Sequence, residues 1–511
     1  IHRAGAAYLP LDPELPDARV TELLARARPA AVVTTPGHAP RLRALGADAI
    51  VLPGEVRTAA GEGDGRRDRA VPVAAGDLAY VMFTSGSTGR PKAVGVPHGG
   101  LAAYVTAHQA MYALTPDDRV LQSGSLSFDL SAEEIFPCLA AGATLVPRTE
   151  EMLDGPAAFL DGVARLGVTV AHLPTSLLNL LAGAVTDDGV PVPPSLRLVV
   201  AGGEPADPAR LAAWRTAAPG VRLAHVYGVT EASMVSTAAF LDTVPDRARV
   251  TIGRPIAGTE VHVLDDGFEP VPDGVPGEVF IGGAGLARGY LAEPGRTAAR
   301  FGPHPFAAGR RLYRTGDLAR RLPDGSLEYV GRLDRQLSLR GFRIDPAEPE
   351  AVLRTHRAVA DVAVTVRDGR LVGYVVLRPE AGHVPAEELR AHAARALPGH
   401  LVPGTVVRLA ALPRTGSGKI DVSRAARSRP RASAERAAAP AGPTQAAVAE
   451  IWCEVLGVAQ VAPGDDFFQL GGHSLLAGQV AARLRRRFGV AAAMRLIFQH
   501  PRLADLAAAV D

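Results

Sequence analysis

Residues 83–92, FTSGSTGRPK, gather the kinds of side chain that hold phosphate. Thr84, Ser85, Ser87 and Thr88 offer hydroxyl donors beside the main-chain amides, and Lys92 adds positive charge. Gly86 and Gly89 let the backbone approach a bound group closely. A P-loop needs four residues between a glycine and Gly-Lys-Ser/Thr. Here two residues separate Gly86 from Gly89, and Lys92 follows Pro91 and precedes Ala93. A second lysine loop, RTGSGKID, has Ile420 after Lys419 where a magnesium-binding hydroxyl would stand. Taken alone, a loop of this composition is more often an ordinary surface turn. Its chemistry has to be argued from its companions.

Such a loop acts only where a scaffold positions it. AAVVTT (30–35), LAYVMFT (78–84), ATLVP (143–147), VTVAHLP (168–174) and LRLVVAGG (196–203) read as fully apolar strands, with helical stretches such as DARVTELLARAR between them. That order predicts a layered α/β unit with mainly parallel sheets over residues 1–331, ligands sitting at the carboxyl ends of strands. The 83–92 loop falls at such an end. From 250 to 331, PGEVFIGG and GSLEYVGR suggest a more antiparallel part. A small α+β unit follows over 332–426, then a Pro/Ala/Arg-rich linker over 427–442. Residues 443–511 read as short helices, an all-α four-helix bundle.

Bulk composition narrows the function. Lys plus Arg number 55 against 53 Asp plus Glu, a net charge of +2, which gives no electrostatic case for nucleic acid or an anionic membrane. No apolar run approaches the ~18 residues of a membrane helix. Two cysteines, Cys138 and Cys453, imply a reducing compartment without a disulfide framework. No signal-peptide pattern is seen, and the expected location is the cytoplasm. The sequence starts at Ile1 rather than Met and reads as an excised segment.

Further motifs follow in order: HVYGVTEAS (225–233), YRTGDLARR (313–321), GRLDRQLSLRGFRID (331–345) and PRTGSGKID (413–421), with AGAAYLPLDPELP (4–16) and GEVFIGGAGLARGYLAEPGRTAARF (277–301) beside them. Together with 83–92, this set resembles the adenylate-forming enzymes, specifically the adenylation domains of nonribosomal peptide synthetases. The resemblance covers residues 1 to about 425. It implies that the loop Thr84, Ser85, Gly86, Ser87, Thr88, Gly89 and Lys92 holds the β,γ-phosphates of ATP. It places Tyr227 against adenine with Gly228 and Thr230 beside it, Glu231 on Mg2+, Asp317 on the ribose hydroxyls and Arg332 near ribose and phosphate. Lys419 then reaches the substrate carboxylate and the α-phosphate, and Asp334 is the hinge about which the small unit rotates between adenylation and thioester formation. Each residue has a plainer alternative: Asp317 capping a turn, Glu231 paired with an arginine, Lys419 merely solvated.

The last unit carries LGGHSLL, similar to the attachment sequence of a peptidyl carrier protein, with Gly471 and Gly472 ahead of Ser474. The resemblance implies that Ser474 receives 4′-phosphopantetheine from a separate transferase, supplying a thiol that neither cysteine is placed to provide. Ser474 as a simple helix N-cap is the plainer reading. Expected partners are an amino acid, that transferase, condensation or other synthetase modules and a small activating protein.

FDLSAEEIF (128–136) should form the helix bordering the substrate pocket. By resemblance Asp129 binds the α-ammonium; Glu133, four residues on, faces the same side of the helix. The other positions matching the pocket pattern are Leu130, His172, Val199, Ala201, Val226, Met234 and Val235. A second buried carboxylate is costly unless a cation meets it. The expected substrate is therefore a diamino acid such as 2,4-diaminobutyrate, or ornithine or lysine, unless Glu133 pairs with a protein arginine or points away. The sequence departs from the family pattern at Ala93, Val229, Ser338 and Ser417, none of them a catalytic group, and the family's first motif is missing ahead of AGAAYLP. Two alternatives stay open: an acyl-CoA or aryl-acid ligase of the same superfamily, and an inactive relic in which only the carrier works.

Overall fold

A computed structural model describes residues 1–51, 71–86, 88–241, 250–339, 341–367, 369–382, 384–414, 420–421, 424–425, 440–458, 460–467, 470, 472, 474–490, 496–497 and 500–511. Of Ser474 only the backbone is described. The linker expected at 427–442 lies mostly outside these residues.

The largest sheet has seven strands in the order 254–255, 237–240, 222–227, 198–202, 170–174, 119–122 and 144–147. Its five strands from 222–227 to 144–147 are parallel, and 237–240 closes one side antiparallel. Helices cover both faces, so these strands are apolar at nearly every position. Val170, Leu198, Val200 and Ala224 pack into one core with Leu101, Tyr104 and Ala132. The alternate residues Ala171, Val199, Ala201 and Leu223 pack into a second core with Phe159, Leu178 and Trp214. Helix Pro208–Ala217 is fixed at its start by Asp207, whose carboxylate accepts from the amides of Ala209 and Arg210.

One strand departs from expectation. LAYVMFT (78–84) is no part of the seven-stranded sheet; it pairs antiparallel with Lys92–Pro97, which pairs antiparallel with Gly289–Tyr290, and its one parallel contact among the described residues is a bridge from Tyr80 to Tyr8. The phosphate-type loop is thus the connection of a β-hairpin. The strand's all-apolar character came from burial on both faces, which does not distinguish strand direction.

The expected antiparallel part is a five-stranded sheet of 259–264, 277–283, 311–321, 301–303 and 327–332. The small unit has a hairpin, Leu337–Leu339 with Phe342–Ile344, and helix Ala347–Arg354. Its three-stranded sheet pairs Val359–Arg367, Arg370–Leu377 and Thr405–Arg408. The C-terminal unit packs helices Pro443–Leu456, Ser474–Phe488 and Leu503–Val510 around Trp452, Phe467 and Leu484. Among the described residues no helix is long and apolar enough to cross a membrane.

Candidate active site

The carboxyl ends of strands 170–174, 198–202 and 222–227 open into a cavity of about 1490 Å³, roofed by Leu337, Phe342, Arg343 and His400 of the small unit. Single-ligand pockets run to roughly 1,000 Å³, so this one has room for two reactants.

On one side of the cavity Tyr227, Asp317, Arg332 and Asp334 form a single network. Tyr227 donates from its hydroxyl to Asp317 Oδ2 at 2.7 Å. Arg332 bonds the other oxygen of Asp317 through Nη1, and its Nε and Nη2 reach the two oxygens of Asp334 at 2.7 and 2.9 Å. Burial would raise the Asp334 pKa, but the Arg332 contacts hold it below the usual carboxylate value. Gly228 is required after Tyr227: a Cβ there would lie 1.7 Å from the Met234 carbonyl oxygen.

The loop at 84–92 is anchored rather than free. Ser85 donates to the Arg343 carbonyl at 2.7 Å and accepts from the Asp345 amide at 2.9 Å, both in the small unit. Thr88 accepts from Arg296 Nη2 at 2.6 Å, and the Gly89 amide closes the turn on Gly86. Thr84 and Ser85 line the cavity with Tyr227, Gly228, Thr230, Asp317 and Arg332. Lys92 and Glu231 do not. They lie buried beneath it, Nζ to Oε1 at 3.3 Å, where Tyr290 also donates to Oε1 at 2.9 Å and Arg343 donates to Oε2 at 3.3 Å. Burial would raise the Glu231 pKa, but Lys92 and Arg343 hold it far below the ordinary range. Burial lowers the Lys92 pKa to about 8 against the opposing pull of Glu231. In this arrangement two protein cations and a phenol take up the Glu231 oxygens, so a divalent ion at Glu231 would have to displace them.

On the other side Asp129 and Glu133 both line the cavity, as their spacing at the start of helix Leu130–Ala140 predicts. Asp129 accepts from Thr230 Oγ1 at 2.6 Å, and burial raises its pKa. Glu133 pairs with no arginine among the described residues: its Oε1 lies 3.0 Å from His172 Nδ1. His172 stacks on the buried His108 at 5.3 Å. Leu130, His172, Val226, Met234 and Val235 line the cavity as expected, but Val199 and Ala201 do not. They face the second core, and Val200 and Gly202 take their places on the wall. The cause is the two-residue period of a strand, in which a shift of one exchanges the faces.

Lys419, Ser87, Ser417 and Gly471 lie outside the described residues. Sequence reasoning gave no role to Arg343 or Tyr290, although both sit inside the motifs above. The arginines clustered in GRLDRQLSLRGFRID were the available signal for the first.

The family model described as AMP-binding enzyme matches residues 1–291, and the AMP-binding enzyme C-terminal domain matches 348–419. A model for the phosphopantetheine attachment site matches 446–510. The chain is 39% identical to a linear gramicidin synthase of Brevibacillus parabrevis over 99% of its own length. It is 41% identical to phosphinothricin tripeptide synthetase PhsC of Streptomyces viridochromogenes over 100% of its length. It spans only 6% of the first protein and 46% of the second. A solved holo nonribosomal peptide synthetase protein containing adenylation and PCP domains, bound to a vinylsulfonamide inhibitor, superposes with a TM-score of 0.81 at 30% identity, covering 99% of this chain and 83% of that one.

Proposed function

We propose a reaction from the premise that the chain belongs to the AMP-binding enzymes, as a nonribosomal peptide synthetase adenylation domain followed by a phosphopantetheine carrier domain. The substrate is an amino acid with a second ammonium in its side chain, of the size of 2,4-diaminobutyrate, ornithine or lysine. Its carboxylate oxygen attacks the α-phosphorus of ATP, the bond to the β-phosphate oxygen breaks, and pyrophosphate leaves with the electron pair. The aminoacyl group then passes to the carrier, its bond to the phosphate oxygen breaking and AMP leaving with the electron pair. On this reading the adenylation domain comprises a large part, 1–331, and a small part, 332–426; the linker is 427–442 and the carrier 443–511.

Each role follows from position and charge. Asp317, already accepting from Tyr227, exchanges Arg332 for ribose hydroxyls at its remaining lone pairs, and Tyr227 offers its ring to adenine. Thr84 presents its hydroxyl to the departing phosphates, and Arg343 on the cavity wall, with Lys92 buried behind it, supplies the positive field in which that charge is released. Lys419 neutralises charge at the attacking carboxylate. Asp129 takes the α-ammonium and Glu133 the side-chain ammonium. Ser474 is the attachment point for phosphopantetheine, which when bound supplies a thiol nucleophile. Two residues before Ser474, Gly472 packs so closely on Phe467 that a Cβ would lie 2.1 Å from the ring.

The observation that carries the substrate assignment is a pair of carboxylates, Asp129 and Glu133, on one wall of one cavity. That wall repels a simple aryl or fatty acid, which argues against the acyl-CoA ligase alternative. Intact-mass spectrometry of the pantetheinylated chain after ATP and an amino-acid panel tests the proposal. A diamino-acid adduct is expected, and preferential loading of a neutral amino acid refutes the substrate class.

A further inference from the structure

The central helix of the carrier, Ser474–Phe488, lies on the turn Glu150–Asp154 and on Gly155, which precedes helix Pro156–Arg165. Two contacts of different kinds define this seat. Gly478 and Gly155 meet backbone to backbone: a Cβ on Gly478 would stand 3.2 Å from the carbonyl carbon of Asp154 and from N and Cα of Gly155. Seven residues on, two turns along the same face, Arg485 Nη1 reaches Asp154 Oδ2 at 2.5 Å and Nη2 reaches the Asp154 carbonyl at 3.4 Å. A third contact comes from the small unit, where Arg370 donates to the Leu470 carbonyl at 2.8 Å.

Gly478 is a costly choice for the inside of a helix, where alanine is intrinsically more stable. The close approach gives the reason: a side chain there would press on main-chain atoms that cannot move aside as a flexible tip would. Gly155 is constrained separately, with φ of 132°, a conformation that L side chains rarely adopt.

We propose that Gly478 and Arg485 are the features by which this adenylation domain recognises its own carrier, on a seat made by Gly155 and Asp154. The proposal rests on the self-loading reading above. Ser474 stands four residues before Gly478, about 6 Å along the helix axis, and the seat's neighbours Leu153, Gly155, Pro156 and Phe159 line the substrate cavity. Seating the helix therefore packs its first half against residues that border the cavity. A carrier bearing a side chain at the Gly478 position, or lacking a cation at the Arg485 position, is rejected. The Arg370–Leu470 contact makes the same seat depend on how the small unit is turned.

The test uses the full pantetheinylated chain with four single variants, Gly478→Val, Gly478→Ala, Asp154→Arg and Arg485→Asp, and the double variant Asp154→Arg with Arg485→Asp. Amino-acid-dependent pyrophosphate exchange is expected to stay at the parental rate. Loading of the carrier is expected to fall about tenfold for Gly478→Val, as overpacking a tight contact would cause. Gly478→Ala should load more slowly while the carrier's melting temperature holds or rises, which separates docking from folding. Combining Asp154→Arg with Arg485→Asp should restore loading lost in either single variant. Parental loading by Gly478→Val, or no recovery in the charge exchange, overturns the proposal. A parent without any exchange would instead refute the self-loading reading. The seat is then still judged by amide hydrogen exchange, since protection of residues 150–155 must be present in the parent and lost in Gly478→Val.

Discussion

Replacing Glu133 by glutamine probes the substrate assignment with little change of shape. Glu133 is 5% exposed and holds His172 Nδ1 at 3.0 Å, a contact that an amide oxygen can still accept. The fold therefore keeps its contact while the negative charge disappears. A hydrogen bond to a charged group in such a site is worth about 1.5–3 kcal/mol. At 1.36 kcal/mol per tenfold, kcat/KM for a diamino acid should drop by about ten- to about hundredfold. A neutral amino acid of the same length should improve relative to it, because the variant no longer leaves a carboxylate unmet beside an apolar side chain. Pyrophosphate exchange across matched pairs, such as ornithine against norvaline, reads both numbers. If the ratio between the two members of a pair is the same in Glu133→Gln as in the parent, Glu133 does not read substrate charge.

Other outcomes follow from the buried charges and the helix caps. Exchange activity should decline as pH rises through about 8, where Lys92 loses its proton, and Lys92→Arg should lack that decline. The sign for stability is opposite. The folded pKa lies below the ordinary 10.5, so the unfolded chain holds more protons between about 8 and 10.5, and the Lys92 contribution to stability grows as pH rises through that window. Arg343→Met should weaken exchange and move the alkaline decline upward, since Arg343 is one of the charges pressing the Lys92 pKa down. Asp207→Ala should cost about 1 kcal/mol of stability by removing the cap on Ala209 and Arg210. Thermal melting should register that loss with exchange unchanged, because Asp207 does not line the cavity.

The sequence made the parts legible wherever chemistry repeated at short range. Asp129 and Glu133 sit four apart at the start of one helix, so their shared face followed from helical period, while its place beside the pocket came from the family resemblance. Two strands of the small unit, 359–367 and 370–377, are β-branched runs that read as strands from composition, whereas the 337–344 hairpin carries no such run and the third strand, 405–408, is short. What stayed hidden depends on pairing between distant segments. The direction of strand 78–84 is decided by partners at 92–97 and at Tyr8, beyond the reach of local pattern. Val199 and Ala201 were assigned to the wrong face because strand 198–202 is apolar on both sides, leaving no polar residue to mark the register. The crowding of Glu231 by Lys92, Tyr290 and Arg343 brings together four separate motifs, and only folding shows that they converge.

The Ser85 hydroxyl has a consequence for turnover. It sits between the Arg343 carbonyl and the Asp345 amide, so one short side chain fastens the hairpin tip to the small unit. On the hinge reading of Asp334, both bonds break together when the small unit swings away, and the tip is released at the same moment. On that reading product escape is timed by the swing, the movement that readies the second half of the cycle also opening the exit for diphosphate.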